Sequence, residues 1–267
     1  MSEKFVFQDV PEEKSFRSCA ARIKVVGVGG CGSNTVQRLV AAGLSNADFI
    51  CVNTDRDHLE LVDEQVRKIH LGNSGQGAGG DPKMARDLAE KSQEEISRSL
   101  EGADMVFIAA GMGKGTGTGA SPTVAKIARE LGILTLAVIY QPSEFEGSDR
   151  IETARQGLAE IRQYTDALIV VANDKVHDII DQLLNERKSD VMPGQVHAQC
   201  DDIPDEEAYE ILDRVIRDAV TGLVEIITGV GQVNVDFKDV YNVLKESGTA
   251  MIGVGEAEGE DLSLIHI

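Results

Sequence analysis

The sequence contains no tryptophan and few other aromatic residues, which restricts how its core can be built. Aromatic residues make up 4% of the 267 residues, whereas apolar residues as a class make up 42%. The core must therefore consist of aliphatic side chains, as in parallel sheets that are covered by helices on both faces. The length suffices for one large α/β domain, or for one domain and part of another.

Positive charge is also scarce. There are 26 lysines and arginines against 45 aspartates and glutamates, which gives a formal net charge of −19. This excess repels the phosphates of nucleic acids and of anionic membranes, so neither is expected as a partner. An acidic protein can still bind a single nucleotide where backbone N–H groups and Mg²⁺ provide the positive potential.

Paired cysteines and long apolar runs are missing as well. Cys19, Cys31, Cys51 and Cys200 form no CxxC pair, which is typical of a reduced, cytosolic protein. The first residues hold no apolar segment of signal-peptide length, and no later run approaches the length of a membrane span. We therefore predict a cytoplasmic protein with no direct membrane insertion.

From Ile23 onward, apolar runs alternate with amphipathic stretches. The pattern predicts strands over 23–28, 49–53, 66–71, 105–110, 134–139 and 167–172, and helices over 33–42, 81–100, 118–131 and 149–164. Asp81 and Pro82 form a favoured helix start, with Asp81 as the N-cap. This alternation predicts an α/β fold with a parallel, doubly wound sheet, in which ligands bind beyond the carboxyl ends of the strands.

A first glycine-rich loop, over residues 27–34, lies between a predicted strand and a predicted helix. Glycines let the backbone turn tightly and approach an anion, and the helix N-terminus offers free N–H groups. By itself this GxGxxG pattern is the dinucleotide fingerprint, and Asp55 follows about 20 residues later, as that fingerprint requires. A purely structural glycine turn accounts for the same pattern, so both interpretations stay open.

Two further glycine-rich loops, over residues 72–80 and 111–119, also precede predicted helices. The loop over 111–119 alternates five glycines with Thr116 and Thr118, a pattern that packing alone does not readily explain. Alternating N–H groups and hydroxyls make a cradle for a diphosphate or triphosphate. Three such loops at one sheet edge exceed the needs of a dinucleotide and favour a nucleoside triphosphate.

Seven stretches of the chain form a recognisable set, namely IKVVGVGGCGSNTVQRL, ICVNTDRDHL, GAGGDP, VFIAAGMGKGTGTGASPTVAKIARELG, the FEG turn at 145–147, VANDK and NVDFKDV. Together they resemble the FtsZ family, the tubulin-like GTPases that build the bacterial division ring. The similarity runs from about residue 22 to about residue 255. Within it, GTGTG and NVDF are specific to the tubulin/FtsZ superfamily.

The resemblance implies that GTP or GDP binds together with Mg²⁺. It places the nucleotide against Gly29, Gly30, Cys31, Gly32, Ser33 and Asn34 of the first loop, Gly77, Ala78 and Gly79 of the second, and Gly113, Gly115, Thr116, Gly117 and Thr118 of the third. It also implies that Glu146 binds the ribose, that Arg150 lies near the sugar and phosphates, and that Tyr209 stacks on the guanine. Asp213 would pair with the guanine N1 and N2 donors, which adenine does not offer. A solvated helix carboxylate is the alternative for Asp213.

Catalysis, by the same resemblance, involves Asn234, Asp236 and Asp239. Their loop would enter the pocket of the next subunit, where the two aspartates orient and polarise the attacking water. An ordinary polar turn is the alternative. The resemblance further implies a head-to-tail homopolymer at the mid-cell division site. Division-ring proteins are expected to bind through a C-terminal peptide that this sequence does not contain.

The predicted domains follow from these assignments. Residues 1–21 are predicted to be a flexible arm, 22–204 the GTP-binding Rossmann-like domain, 205–228 a central helix of roughly 36 Å at 1.5 Å per residue, and 229–267 the acidic loop with the start of a truncated second subdomain. Residues 185–204 form a polar insert, interpreted as a flexible acidic loop rather than a metal site despite His197, Cys200, Asp201 and Asp202. The tail LSLIHI matches nothing in the family and is interpreted as foreign.

Lys114 departs from the family pattern, because it stands where a glycine is usual. A lysine there either pairs with a phosphate or strains a backbone position of positive φ, and the sequence leaves this open. Two alternative functions also remain, a nucleotide-binding filament protein without turnover and a nicotinamide-dependent oxidoreductase that uses GxGxxG with Asp55.

Overall fold

A computed structural model describes residues 21–72, 75, 77–172, 217, 220–225, 227 and 236–250. The predictions for the arm, the insert, Tyr209, Asp213, Asn234 and the tail therefore lie outside the described residues. Residues 217, 220–225 and 227 are helical and fall within the predicted central helix. No helix in the described parts of the chain combines the length and apolarity that crossing a membrane requires.

The described residues contain one parallel sheet of seven strands, which confirms the predicted α/β class. The strands are β1 (Ile23–Val28), β2 (Asp48–Asn53), β3 (Arg67–His70), β4 (Met105–Gly111), β5 (Leu134–Gln141), β6 (Ala167–Ala172) and β7 (Gly248–Thr249), and their spatial order is β3-β2-β1-β4-β5-β6-β7. All six pairings are parallel. The order reverses between β1 and β4, and such a reversal opens a crevice at the carboxyl ends of the two strands.

Helices cover both faces of this sheet. They are α1 (Gly29–Ala41), α2 (Arg56–Glu60), α3 (Pro82–Lys91), α4 (Gln93–Leu100), α5 (Thr116–Glu130), α6 (Ser148–Ile161) and α7 (Phe237–Leu244), with a 3-10 turn at Glu144–Glu146. One apolar cluster joins the sheet to α3, α4, α5 and α6, and a second joins it to α1, α2, α7 and the helical residues Val220, Val224 and Ile227. The side chains of Val25 and Val26 enter opposite clusters, as strand alternation requires.

Several helix boundaries differ from the sequence predictions. The first helix begins at Gly29 instead of residue 33, because Gly29 adopts a φ of 73° and lets the chain turn directly out of β1. The helix predicted over 81–100 divides at Ser92 into α3 and α4. The short helix α2 was not predicted; it is capped by Asp55, whose side chain accepts the His58 N–H. The predicted cap at Asp81 is confirmed, since its side chain accepts the Lys83 N–H at 2.8 Å.

Close packing explains part of the glycine pattern, contrary to the expectation from sequence. A Cβ atom on Gly119 would lie 2.0 Å from the Pro82 carbonyl oxygen, where α5 crosses the start of α3. A Cβ on Gly117 would lie 2.2 Å from the Gly111 oxygen, and one on Gly32 would lie 2.1 Å from the Ala109 oxygen. These glycines let the helices approach the sheet edge and each other at backbone distance.

This packing predicts that Gly119→Ala lowers the free energy of unfolding by roughly 1–3 kcal/mol, the usual range for an overfilled interior. The matched control is Gly222→Ala, because Gly222 is helical and a Cβ there meets no atom of the described residues within 4 Å. That change should raise the free energy by about 0.5–1 kcal/mol through helix propensity. Chemical denaturation without nucleotide measures both, and equal effects of the two variants would contradict the close contact.

Candidate functional site

A pocket of about 510 Å³ opens at the carboxyl edge of the sheet. All three predicted glycine-rich loops contribute to it, together with the ends of β2 and β5. Its lining consists of Val28, Gly29, Gly30, Cys31, Asn53, Thr54, Asp55, His58, Gly77, Ala78, Gly79, Gly80, Gly111, Met112, Lys114, Gly115, Thr116, Gly117, Tyr140, Gln141, Pro142, Glu146 and Arg150. The pocket therefore occupies the crevice that the strand order predicts.

The N-termini of α1 and α5 meet at the floor of this pocket. Helix α1 follows β1 and α5 follows β4, so the two helices start at the point where the strand order reverses. A Cβ on Gly29 would lie only 3.0 Å from the Gly117 nitrogen. Neither helix has a side chain that caps its first N–H groups. Uncapped amides at two converging helix ends, with their dipoles, form a site suited to a polyanion.

The loop that leads into α5 is held from both sides. The Gly113 N–H donates to the Thr118 hydroxyl at 2.9 Å, and the hydroxyls of Thr116 and Thr54 lie 2.7 Å apart in a hydrogen bond. Gly111 lies against Cys31, since a Cβ on that glycine would be 2.8 Å from the Cys31 Cβ. These contacts fix the loop before any ligand arrives, which lowers the entropy cost of binding.

Lys114, in the middle of this loop, is not strained. Among the described residues other than glycine, positive φ occurs at Glu246 alone, with a φ of 55°. The backbone of Lys114 therefore accommodates its side chain, and the strain alternative raised by the sequence is wrong. Lys114 is exposed and lines the pocket.

The loop before α3 closes a second side of the pocket. The Gly77 N–H donates to the Thr54 carbonyl oxygen at 3.1 Å, which ties this loop to the end of β2. Gly77, Gly79 and Gly80 all have positive φ, between 56° and 81°, a backbone conformation that favours glycine. The loop needs these glycines for its path, and Ala78 packs inward from it.

Glu146 and Arg150 lie together on the far side of the pocket. The Arg150 guanidinium forms an ion pair with the Glu146 carboxylate one helical turn away. The same carboxylate accepts the Ser143 N–H at 3.1 Å in a capping box. Both side chains are thereby oriented, and a carboxylate beside a guanidinium offers an acceptor and a donor to a polar ligand.

Most of the predicted nucleotide-binding residues meet at this pocket, but several do not line it. Gly32, Ser33, Gly113 and Thr118 are buried behind the surface, and Asn34 is exposed on the next part of α1. Tyr209, Asp213 and Asn234 lie outside the described residues. The buried members support the loops from behind, as the bond between Thr118 and Gly113 illustrates.

Asp236 and Asp239 lie away from the pocket. Both are exposed, and Asp236 caps α7 by accepting the Lys238 N–H. After α7 the chain reaches β7, where the Gly248 N–H donates to the Asp166 oxygen at 3.0 Å, and Asp166 directly precedes β6. Because the strands are parallel, this contact marks the amino edge of the sheet, opposite the glycine loops.

The lining also includes residues that the sequence did not suggest, notably Thr54, His58 and Tyr140. Thr54 directly follows β2, so the rule that ligands bind at carboxyl ends would have found it. His58 depends on α2, which was not predicted, and its Nδ1 atom is buried with no hydrogen-bond partner among the described residues. The Tyr140 hydroxyl shares a hydrogen bond with Thr35 at 2.9 Å, and burial raises its pKa.

The Cys31 thiol at the pocket mouth is unsuited to be a nucleophile. Although the residue is exposed, the loops around its sulfur desolvate it and raise the pKa to about 11, against opposing effects of Arg38 and Lys114. The nearby Glu146 carboxylate raises the pKa further. At neutral pH the thiol is therefore protonated, and Cys31 contributes a neutral surface and its backbone to the site.

Comparison with known proteins identifies this architecture. The model of the Tubulin/FtsZ family, GTPase domain, matches residues 22–181. "Cell division protein FtsZ 1" of Thermococcus kodakarensis is 41% identical over 261 residues, which cover 96% of this chain and 64% of that protein. "Cell division protein FtsZ" of Buchnera aphidicola is 42% identical over 252 residues, which cover 93% of this chain and 60% of that protein.

Solved structures agree with the sequence relatives. The chain superposes on the structure described as "FtsZ dimer, empty (M. jannaschii)" with a TM-score of 0.77 and 40% identity, covering 90% of this chain and 65% of the other. The chain thus spans less than two thirds of the length of these relatives. On the family match, the identity over most of its length and the shared fold, the chain belongs to the Tubulin/FtsZ family.

Proposed function

We propose that this chain binds GTP and GDP in the pocket at the carboxyl edge of the sheet. We further propose that it hydrolyses GTP within a head-to-tail homopolymer that forms the bacterial division ring, in the cytoplasm at mid-cell. The observation that carries the proposal is the meeting of two uncapped helix N-termini, those of α1 and α5, within one glycine-lined pocket. The names of its relatives, which are cell division proteins, support the same function.

The phosphate chain of the nucleotide would lie over the two helix N-termini. Gly29, Gly30, Gly115, Thr116 and Gly117 line the pocket there and bring main-chain N–H groups close to the ligand. Each favourable contact of an anion with a helix N-terminus contributes typically 0.3–1 kcal/mol, and about 2 kcal/mol in partly buried sites. Two such ends allow an acidic protein to bind a polyphosphate without a cluster of basic side chains.

The sugar and base would extend toward Glu146 and Arg150, which line the opposite side. Glu146 is proposed to bind the ribose hydroxyls, for which its carboxylate is a suitable acceptor. Tyr209 is proposed to stack on the guanine and Asp213 to accept its N1 and N2 protons. Adenine offers no such pair of donors, so a carboxylate at this position would discriminate against ATP.

Mg²⁺ is proposed to accompany the triphosphate. The described residues contain no cluster of three or more acidic, histidine or cysteine side chains that could hold a metal ion. This composition fits Mg²⁺, which keeps several waters and is usually bound by substrate phosphates with one or two carboxylates. Asp55 is the lining carboxylate that forms no ion pair among the described residues; its Oδ1 caps α2, and Oδ2 is the candidate for such a contact. When bound, the ion would neutralise charge on the phosphates.

Hydrolysis is proposed to require two subunits. Asp236 and Asp239 are exposed on a helix that leads to the amino edge of the sheet, whereas the pocket opens at the carboxyl edge. In a head-to-tail arrangement these opposite edges face each other, so the acidic turn of one subunit meets the nucleotide of the next. There Asn234, Asp236 and Asp239 would position and polarise the attacking water, which is the main demand of phosphoryl transfer.

The dinucleotide alternative receives less support from the geometry. In that fingerprint the acidic residue after the second strand hydrogen-bonds to the ribose. Here the Asp55 side chain accepts the His58 N–H at 3.1 Å and caps α2. A filament protein without turnover remains the second candidate, and the Asp236 experiment below separates it from a GTPase.

The rate at which Cys31 is alkylated should show whether a nucleotide occupies the pocket. The thiolate is the form that iodoacetamide alkylates, and the Cys31 thiol has a pKa of about 11. Alkylation of Cys31 should therefore be slow at pH 8 and should accelerate about tenfold for each pH unit up to about pH 11. At pH 9, saturating GTP should slow alkylation of Cys31 by about tenfold or more, and equimolar ATP should not, because bound nucleotide covers the loop.

Peptide mass spectrometry gives the rate for Cys31 separately from those of the other cysteines. Buried Cys51, whose pKa is also raised to about 11 by burial, serves as the internal control for global unfolding. Alkylation of Cys31 that GTP leaves unchanged would place the nucleotide elsewhere. Equal protection by ATP would remove Asp213 as the determinant of base selectivity.

Asp236→Asn tests the shared site. Asparagine caps helices about as well as aspartate, so the stability of α7 should be retained while the charge at the reaction centre is lost. We expect GTP hydrolysis by the wild-type chain to rise more steeply than linearly with protein concentration, and Asp236→Asn to reduce it by about tenfold or more.

Asp63→Asn is the matched control, because Asp63 is an exposed carboxylate that holds a turn by accepting the Gln65 N–H and does not line the pocket. It should retain the wild-type rate. A linear dependence on concentration would exclude shared sites. Wild-type turnover in Asp236→Asn would remove that carboxylate from the mechanism, and wild-type chain that binds GTP without hydrolysing it would favour the filament alternative.

A further inference from the structure

Lys114 places a single flexible cation within the glycine loops. Gly113 and Gly115 flank it, so its side chain is the only one that this part of the loop presents. It is exposed, lines the pocket, and forms no hydrogen bond or ion pair with any described residue. A lysine whose charge has no structural partner is free to bind a ligand.

The charges around the pocket make Lys114 distinctive. The lining contains two carboxylates, those of Asp55 and Glu146, and two cations, those of Lys114 and Arg150. Glu146 neutralises Arg150 in an ion pair. Lys114 therefore carries the one lining positive charge among the described residues that no carboxylate compensates, in a protein whose formal net charge is −19.

The surroundings of the loop show where this charge lies. On one side, a Cβ on Gly115 would lie 3.0 Å from the Ala78 Cβ and 3.1 Å from the Asp81 nitrogen, so the loop touches the turn before α3. On the other side, Gly111 contacts Cys31. The positive charge of Lys114 acts on the Cys31 thiol and lowers its pKa, opposing the effect of burial. Lys114 lies between these two contacts and lines the pocket where all three loops meet.

We propose that the ammonium of Lys114 binds the terminal phosphate of the nucleotide and makes the pocket prefer the triphosphate over the diphosphate. This inference rests on the proposed binding of guanine nucleotides at the same site. A lysine is a compact point charge with three donors, which suits a phosphate group that carries most of the additional charge of GTP relative to GDP. The backbone amides of α1 and α5 would bind the phosphates that both nucleotides share, and Lys114 is the lining side chain whose uncompensated positive charge would meet the additional phosphate of GTP.

The contact would also change during turnover. Hydrolysis removes the terminal phosphate, so the diphosphate product loses the charge that Lys114 binds. Lys114 would act as a specificity-determining residue that raises the affinity for GTP without slowing the release of GDP.

The test compares affinities for a non-hydrolysable GTP analogue and for GDP, each measured by equilibrium titration at dilute protein concentration. Under these conditions no neighbouring subunit contributes acidic residues to the pocket. Lys114→Met removes the charge and keeps the length of the side chain. We expect it to weaken the GTP analogue by about tenfold and GDP by about twofold or less.

Two variants serve as controls. Lys114→Arg keeps the charge and should stay within about threefold of wild type for both nucleotides. Lys126→Met removes a lysine of α5 that is exposed, pairs with Glu130 and lies outside the pocket lining, and should leave both affinities unchanged. Thermal unfolding without nucleotide establishes that each variant folds.

Three outcomes would overturn the inference: Lys114→Met with wild-type affinity for the GTP analogue, equal losses for the analogue and GDP, or a loss in Lys114→Arg as large as in Lys114→Met. In each case wild-type binding of the analogue keeps the proposed function intact. Wild-type chain that binds neither nucleotide at millimolar concentration would instead contradict the proposed function, and this inference with it.

Discussion

The structure depends on the close approach of two helix N-termini at the place where the strand order reverses. Helix α1 leaves β1 toward one face of the sheet and α5 leaves β4 toward the other, yet their first residues touch at Gly29 and Gly117. Glycine at both positions keeps the packing this close, because a Cβ on Gly29 would lie 3.0 Å from the Gly117 nitrogen and a Cβ on Gly117 would lie 2.2 Å from the Gly111 oxygen behind it. At these two helix N-termini no side chain caps the first N–H groups, and both ends line the same pocket.

This arrangement reconciles an acidic chain with the anionic ligand proposed for it. The pocket relies on main-chain dipoles, which contribute positive potential without adding net charge. The two lining cations differ in their pairing. Arg150 forms an ion pair with Glu146, whereas Lys114 pairs with no carboxylate among the described residues. The pocket and the acidic turn at Asp236 lie toward opposite edges of the sheet, and the proposed head-to-tail polymer is the assembly in which those edges would meet.

The sequence predicted the sheet and the position of the pocket well, for physical reasons. Aliphatic runs such as 105–110 and 134–139 encode buried parallel strands, and glycine clusters after them mark the carboxyl edge. The sequence did not predict the features that tertiary contacts and local backbone geometry determine. The early start of α1 depends on the positive φ of Gly29, and α2 depends on a single cap at Asp55. The packing role of Gly119 depends on Pro82, which is distant in sequence, so the glycine spacing alone predicts phosphate binding and does not reveal this contact. The backbone angle at Lys114 likewise follows from the fold.

The most direct measurement of the central claim is the response of backbone amides to nucleotide. In ¹H–¹⁵N spectra recorded during titration with a non-hydrolysable GTP analogue, the largest shifts should occur at Gly29, Gly30, Gly115, Thr116 and Gly117, where the amides of the two helix N-termini meet the phosphates. Amides at the amino edge, such as Gly248, should remain unchanged at dilute protein concentration. Shifts that are absent at millimolar analogue, or that spare both helix N-termini, would contradict the account.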